Sequence, residues 1–522
     1  MRILSLNVIA LLLLLTLVEG CTIKNREGVE ICCSGFSKDS NGNCVSNCNG
    51  DFDKSSKIVI IGAGASGIAA ATRLLSHGFT NVSILEGQSR IGGRINTVPF
   101  GDDHIDLGAQ WCHGEKNNVV YEMVKDKNLL DKSKTAFGSH LLIRSSSEVV
   151  SKENSEKLRE IIDSCFEDEK ELLKSYNDSL GAYVRDYFLN ALKQEKYASI
   201  DKIIADEFIE TFQKGLASNE GAKSTFDVSG KGNLHYVTTE GHQGMNWKGK
   251  GYITILNVLM ESKCNDFGVL NKRIFFNQEV SDIKSHTSGV DVKCISGIEH
   301  EADHVIFTGS VGVLRDRAKS LFQPDLPANK ISAIENLGFG TVNKIFLYFD
   351  KKWWNQDFSG FTILWKEKDL EELRKTEYAW VEGIFGFFTV NYQPNVLSGW
   401  AVGETALQIE KLPKSKQLEG IMYIVRKILS NTNIPQPIDF ITTAWNSNPF
   451  ARGSYSHRSM DTEAFDTGAS DLAEPILGEN QKPVLMFAGE ATHSYYYSTV
   501  HGAIESGWRE ADRIYEYYCK SV

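Results

Sequence analysis

Residues 58–94, IVIIGAGASGIAAATRLLSHGFTNVSILEGQSRIGGR, constrain the fold more tightly than any other stretch of the chain. The apolar run 58–61 suits a buried parallel strand, and it breaks at Gly62, Gly64 and Gly67, where an alanine-rich helical pattern begins. Gly62 permits a sharp turn, Gly64 has no side chain to hold a pyrophosphate off the backbone, and Gly67 lets the helix lie close on the strand. The helix start, with Ser66 in its first turn, points free N–H groups at phosphate. Glu86 ends a second strand about 20 residues later, where a carboxylate accepts bonds from ribose hydroxyls. In a chain with 44 glycines the three-glycine pattern alone is weak; the flanking strand, helix and acid give it weight. A second glycine-rich turn, Gly92 and Gly93 between Arg90 and Arg94, offers another close approach to a phosphate or carboxylate.

The chain is long enough, at 522 residues and 42% hydrophobic, for two or three domains. A net charge of -11 argues against nucleic acid; it suits a cationic substrate and is equally ordinary for an extracellular protein. Arg2, an apolar run over 3–18 and Gly20 before Cys21 predict a secretory signal peptide at 1–20, too short to span a membrane and interrupted by Asn7. A lipid-anchored Cys21 is the alternative, weakened by Glu19. No later segment reads as membrane-spanning, and the terminal YYCKSV carries no familiar retention or peroxisomal signal, so the expectation is a secreted, extracellular protein. Cys21, Cys32, Cys33, Cys44 and Cys48 make residues 21–50 a short disulfide segment, part of which resembles a fragment of an EGF-like module; a zinc knot is the alternative. Five is odd, so one stays free, joins another chain, or pairs with a distant cysteine such as Cys112 or Cys519. Asn81 and Asn177 fit glycosylation acceptors, with Asn81 expected to be shielded at a strand start.

Patterning divides the rest. Residues 57–130 begin the dinucleotide domain; 131–250 are largely helical, with Leu158, Ile161, Ile162 and Cys165 at helical spacing. Residues 251–320 return to the dinucleotide domain through a period-two hairpin about Thr287-Ser288-Gly289 and a strand over 304–307. Residues 321–440 mix strands with one clear helix at 417–429, and 441–517 close the dinucleotide domain.

Later motifs extend this reading: GAQWCHG at 108–114, NKIFLYF at 343–349, WNSNP at 445–449 with GSYS at 453–456, and FAGEATHSYYYSTVHGAIESG at 487–507. With the glycine loop, Glu86 and RIGGR at 90–94, the chain resembles the flavin-containing amine oxidases, most of all the polyamine and spermine oxidases, from about residue 57 to 517. The resemblance implies an α/β fold, with a Rossmann-like FAD-binding domain interleaved with an α+β substrate-binding domain, and oxidation of an amine with oxygen consumed. It implies cofactor contacts at Gly108, Ala109, Gln110, Trp111, Val280, Trp445, Thr499 and Val500. Glu490 would hold a ribityl or phosphate-side hydroxyl while the Val500 N–H meets the flavin. Arg94 joins this set from the second glycine turn.

Lys344, in an apolar strand where an unpurposed ammonium is costly, would hold a water against the flavin. Tyr455 would flank the ring, and Thr499, where some relatives carry a second aromatic, would open the wall to a long substrate. Ser454 stands where monoamine oxidases carry the cysteine bonded to FAD, so the flavin is expected to be dissociable. His113 would face substrate, binding or deprotonating an amine, and Glu220 would recognise a distant ammonium. The implied partners are a polyamine and oxygen, with no metal, nucleic acid or membrane. Two other readings stay open: an L-amino acid oxidase, which needs an arginine clamp, and a secreted protein that binds polyamine or flavin without turnover.

Overall fold

The computed structural model describes residues 54–133, 140–167, 169–262 and 266–520, with Phe52 and the backbone of four short strands, Thr22–Lys24, Glu30–Cys32, Phe36–Lys38 and Cys44–Ser46. The expected signal peptide lies outside the described residues, as do the side chains of the five cysteines between 21 and 48.

Ile58–Ile61 runs between Val82–Leu85 and His304–Phe307; Ile274–Phe275 and Pro483–Phe487 extend the sheet on either side, all five parallel, with Ile476–Leu477 antiparallel at one edge. Ile58, Val59 and Ile60 are fully buried, which is why this strand reads as a continuous apolar run rather than an alternating one. Helix Ala65–Ser76 covers one face and packs on the last helix, Val500–Lys520. The two meet backbone to backbone: a Cβ on Gly507 would lie 2.2 Å from the Ser66 carbonyl oxygen, and Arg73 pairs with Asp512 at 2.8 Å.

Three separate stretches, 58–85, 274–307 and 483–487, supply the five parallel strands, so the chain leaves this sheet and returns to it twice. The hairpin about residue 288 consists of Val280–Ser285 and Val290–Cys294; Glu299–Ala302 then leads into the parallel strand His304–Phe307. The second large sheet has the order Leu141–Arg144, Gly360–Leu364, Ile384–Val390, Gln393–Val402, Val342–Tyr348, Asp439–Thr442. Helices Lys152–Glu167, Leu180–Ala191 and Lys202–Glu220 form a layer with their own apolar cluster, in which Leu158, Ile161 and Cys165 are fully buried. The expected helix at 417–429 is Lys414–Ile428, accompanied by Ala328–Asn336 and Gly403–Lys411, each nine residues and too short to show a clear helical period.

One set of alternatives narrows and one expectation needs correction. Cys112 is a free, fully buried thiol, whereas Cys519 is disulfide-bonded. Asn81 is exposed rather than shielded, as is Asn177. Phe52 stacks on Tyr518 with centroids 5.7 Å apart, and Ser56 donates to the Tyr518 hydroxyl at 2.7 Å, so the entry to the first strand is seated on the last helix. Among the described residues no helix is long and apolar enough to cross a membrane.

Candidate active site

A cavity of about 970 Å³ opens at the carboxyl ends of the parallel strands, beyond Ile61, Leu85 and Phe307, and extends to the wall of the second sheet and the helical layer. Crevices outside the carboxyl ends of parallel strands are where such sheets take ligands. Gly62 turns the chain out of its strand at φ +106°, a conformation that L side chains rarely adopt. A Cβ on Gly67 would lie 2.0 Å from the Gly62 carbonyl oxygen, so helix and turn are in backbone contact. A Cβ on Gly64 would meet nothing within 4 Å, because that direction is open cavity. Ser66 is buried in the first helical turn and also lines the cavity.

The buried Glu86 carboxylate accepts from the backbone N–H groups of Ala63 (2.7 Å) and Gln88 (2.8 Å); burial raises its pKa, which these bonds and the nearby Arg90 charge pull back. Val280 closes the same end. The open cradle at Gly64, the helix start behind it, the acid and a second helix beginning at Val500 on the same cavity fit a dinucleotide carrying a second ring system, as FAD does.

Of the two arginines of the second glycine turn, one departs from the sequence reading. Arg90 donates to the carbonyls of Ile91, Gly93 and Ile95 and so pins its own turn. Arg94 does approach a carboxylate, that of Glu490 at 2.8 Å, and donates to the Ser454 carbonyl. Glu490, expected to hold a cofactor hydroxyl, lines the cavity and accepts from Arg94, from Ser456 Oγ (2.6 Å) and from the Ser498 N–H (2.7 Å), so its carboxylate ties three segments together. Thr499 likewise spends its hydroxyl as a cap, donating to the Tyr496 carbonyl and accepting from the Gly502 N–H. Thr499 and Val500 both line the cavity at this helix start.

Lys344 is 5% exposed, and its ammonium donates to the carbonyls of Asp106 (3.0 Å) and Gly108 (2.8 Å) and to Gln110 Oε1 (2.7 Å). Burial lowers its pKa, and the Asp106 carboxylate opposes that fall. Trp111 and Trp400 stack at 5.8 Å, with the Lys344 nitrogen 4.8 Å from the Trp400 ring centre. Gly108, Ala109, Gln110 and Trp111 line the cavity beside them. Trp445 donates from its indole to the Leu107 carbonyl at 3.2 Å and lines the same wall.

His113 Nδ1 lies 2.5 Å from the Gln243 carbonyl oxygen, which fixes the proton on Nδ1 and leaves Nε2 as the acceptor; burial lowers the pKa of the ring, and the bond to Gln243 opposes that fall. Tyr455 donates its hydroxyl to the Ser218 carbonyl near the end of helix Lys202–Glu220. Glu220 is the last residue of that helix and lines the cavity, where its carboxylate, after burial, raises the pKa of Tyr236, Tyr455 and Tyr497. The structure therefore gathers Lys344, His113, Tyr455, Glu220, Trp445, Thr499 and Val500 on one cavity, together with the glycine loop.

Trp400, Tyr236, Tyr497 and Asp106 were missed in the sequence. Trp400 had a signal, since it stands opposite Lys344 in the register of Val342–Tyr348 with Gln393–Val402, a pairing that strand alternation can propose but not align.

The family profile described as flavin containing amine oxidoreductase matches residues 65–515. The chain belongs to this family. As a flavin-containing amine oxidoreductase it is an FAD-dependent amine oxidase. The Homo sapiens protein named peroxisomal N(1)-acetyl-spermine/spermidine oxidase is 29% identical over 500 residues, covering 89% of this chain and 96% of its own. A Candida albicans protein named corticosteroid-binding protein is also 29% identical over 500 residues, covering 89% and 96%. A solved structure of putrescine oxidase bound to putrescine superimposes with a TM-score of 0.65 at 17% identity, covering 88% of this chain and 99% of its own, a likeness of fold.

Proposed function

We propose that this amine oxidase is a secreted polyamine oxidase with dissociable FAD. The observation that carries the reading is Glu220: a carboxylate at the carboxyl end of a 19-residue helix, where the helix dipole adds negative potential, faces the cavity that holds Lys344 and His113. That potential suits a substrate with a second, distant ammonium, and the relative named for acetylated spermine and spermidine supports it.

FAD, when bound, accepts two electrons from the carbon beside the reacting nitrogen, and oxygen carries them on to hydrogen peroxide. His113, with Nε2 as the acceptor, takes a hydrogen bond from the substrate ammonium and guides its proton away so that the reacting nitrogen is uncharged. Glu220 holds the far ammonium, and Trp111, Trp400 and Tyr455 form an apolar wall that excludes water and aligns the chain between them. The resulting imine hydrolyses to an aldehyde and a shorter amine. Ser454 places a hydroxyl, bonded to the Val342 N–H and carbonyl, where covalent attachment needs a thiol, which supports dissociable FAD. The signal-like residues 1–20 and the disulfide at Cys519 support export to an oxidising compartment.

The arginines on the cavity wall disfavour an L-amino acid oxidase. Arg94 and Arg317 are each held by a carboxylate, and Arg159 donates to the His140 carbonyl from the outer helix Lys152–Glu167. The relative named as a binding protein keeps a second reading, flavin and ligand bound without turnover. Peroxide release by the purified protein, compared across spermine, spermidine, their N-acetyl forms, a monoamine and an L-amino acid, separates them. Turnover confined to polyamines is the expected result; none on any amine, with flavin bound, favours the binding protein.

A further inference from the structure

The cavity wall beyond Glu86 carries an ion pair that the sequence reading did not use. Segment 275–280 runs beside residues 86–88, with the Glu86 N–H donating to the Phe275 carbonyl and the Gln278 N–H to the Glu86 carbonyl. A dinucleotide with its pyrophosphate at Gly64 and a ribose at Glu86 therefore presents its base toward 278–280. There Arg317, from helix Val311–Leu321, meets Glu279 at 2.8 Å and donates from Nη2 to the Val280 carbonyl at 3.1 Å; Arg317, Glu279 and Val280 all line the cavity. Both side chains are partly exposed, 25% and 33%, so the pair gains little as a salt bridge and explains little of the fold. Arg315, two residues earlier, has the structural role instead, donating to the Ile334 and Leu337 carbonyls.

We propose that Arg317, oriented by Glu279, is a clasp over the adenine end of FAD, where its planar guanidinium stacks on the base and sets how fast the cofactor leaves. Stacking needs a flat, delocalised cation held in plane, which two anchored N–H groups supply and a lysine cannot. The proposal rests on the reading that FAD is dissociable.

The test follows FAD release from the diluted holoenzyme by the rise of free-flavin fluorescence. Arg317→Met should release FAD about tenfold faster, the scale of one lost stacking contact, and Arg317→Lys should resemble it despite keeping the charge. Glu279→Gln should fall between wild type and Arg317→Met. The visible spectrum of the loaded fraction should match wild type, and the melting temperature in excess FAD should fall by no more than the few degrees that tenfold weaker binding accounts for. Release within twofold of wild type, or a lower melting temperature in excess FAD without faster release, would overturn the clasp. Flavin that stays with acid-precipitated protein would overturn the dissociable cofactor and the clasp together.

Discussion

Two buried lysines show how far a residue's identity carries an argument. Lys330 and Lys344 are 1% and 5% exposed, and each ammonium meets three oxygens and an aromatic face. Lys330 caps the carbonyls of Asp471, Leu472 and Glu474 away from the cavity, which is a structural use. Only Lys344 lines the cavity, its acceptors coming from the turn before Trp111. The motif around Lys344 was legible in the sequence; Lys330 was not, because a lysine in a short helix after Pro327 reads as a surface residue. Lys344→Met should retain FAD and slow turnover by about a hundredfold, the usual scale for one preorganised electrostatic group beside the reacting centre. Stopped-flow traces of flavin reduction and reoxidation check it; unchanged rates in both would remove Lys344 from the chemistry. Glu490 teaches the opposite lesson. Its motif marked it as belonging to the cavity, but its bonds to Arg94 and Ser456 come from other segments, and no local pattern announces partners so remote in sequence.

Among the elements, the glycine turn was the most legible because its geometry is local. Gly64 and Gly67 lie three residues apart and predict opposite failures. Gly64→Val directs its side chain into open cavity, so the protein should fold with at most about 1 kcal/mol lost at the helix cap and should purify without flavin. Gly67→Val drives atoms into the Gly62 carbonyl and should cost about 1–3 kcal/mol or more through overpacking. Thermal melting and the visible spectrum of the two variants separate the cases, and a Gly64→Val protein that keeps its flavin would misplace the cradle. The hairpin near residue 288 was legible from its period of two, whereas the helices Ala328–Asn336 and Gly403–Lys411 are too brief for a periodic signal and owe their existence to the core beneath them.

Across the whole molecule, interleaving is what brings the site together: the five strands of the parallel sheet come from three parts of the chain, and the cavity wall is completed by Lys344 and Trp400 from the other sheet. Resemblance located these pieces, but which residues face one another depended on register and on the long helix ending at Glu220. The buried histidines set the response to acid. His304, fully buried between the Pro483 carbonyl and the Tyr518 hydroxyl, and His457, 3% exposed, both have pKa values pushed down by burial from 6.5 to about 4. Between those values the unfolded chain binds protons that the folded one refuses, so stability is full above pH 6.5 and lost on the way down to 4, by up to about 3 kcal/mol per histidine. Asp106 and Glu86, both raised by burial, work in the opposite sense, but His140 and His501, also lowered by burial, add to the histidine side. Melting temperature should fall steadily from pH 6.5 to 4.5, and His304→Gln should flatten that slope; a flat profile in the wild type would contradict this account.

The central claim is that one cavity unites bound FAD with a site for a polycation. Mixing the purified protein with spermine in the absence of oxygen tests it most directly. The account predicts that the visible flavin band bleaches and returns when oxygen is admitted, with peroxide formed; a band that persists under spermine, spermidine and their N-acetyl forms alike would contradict it.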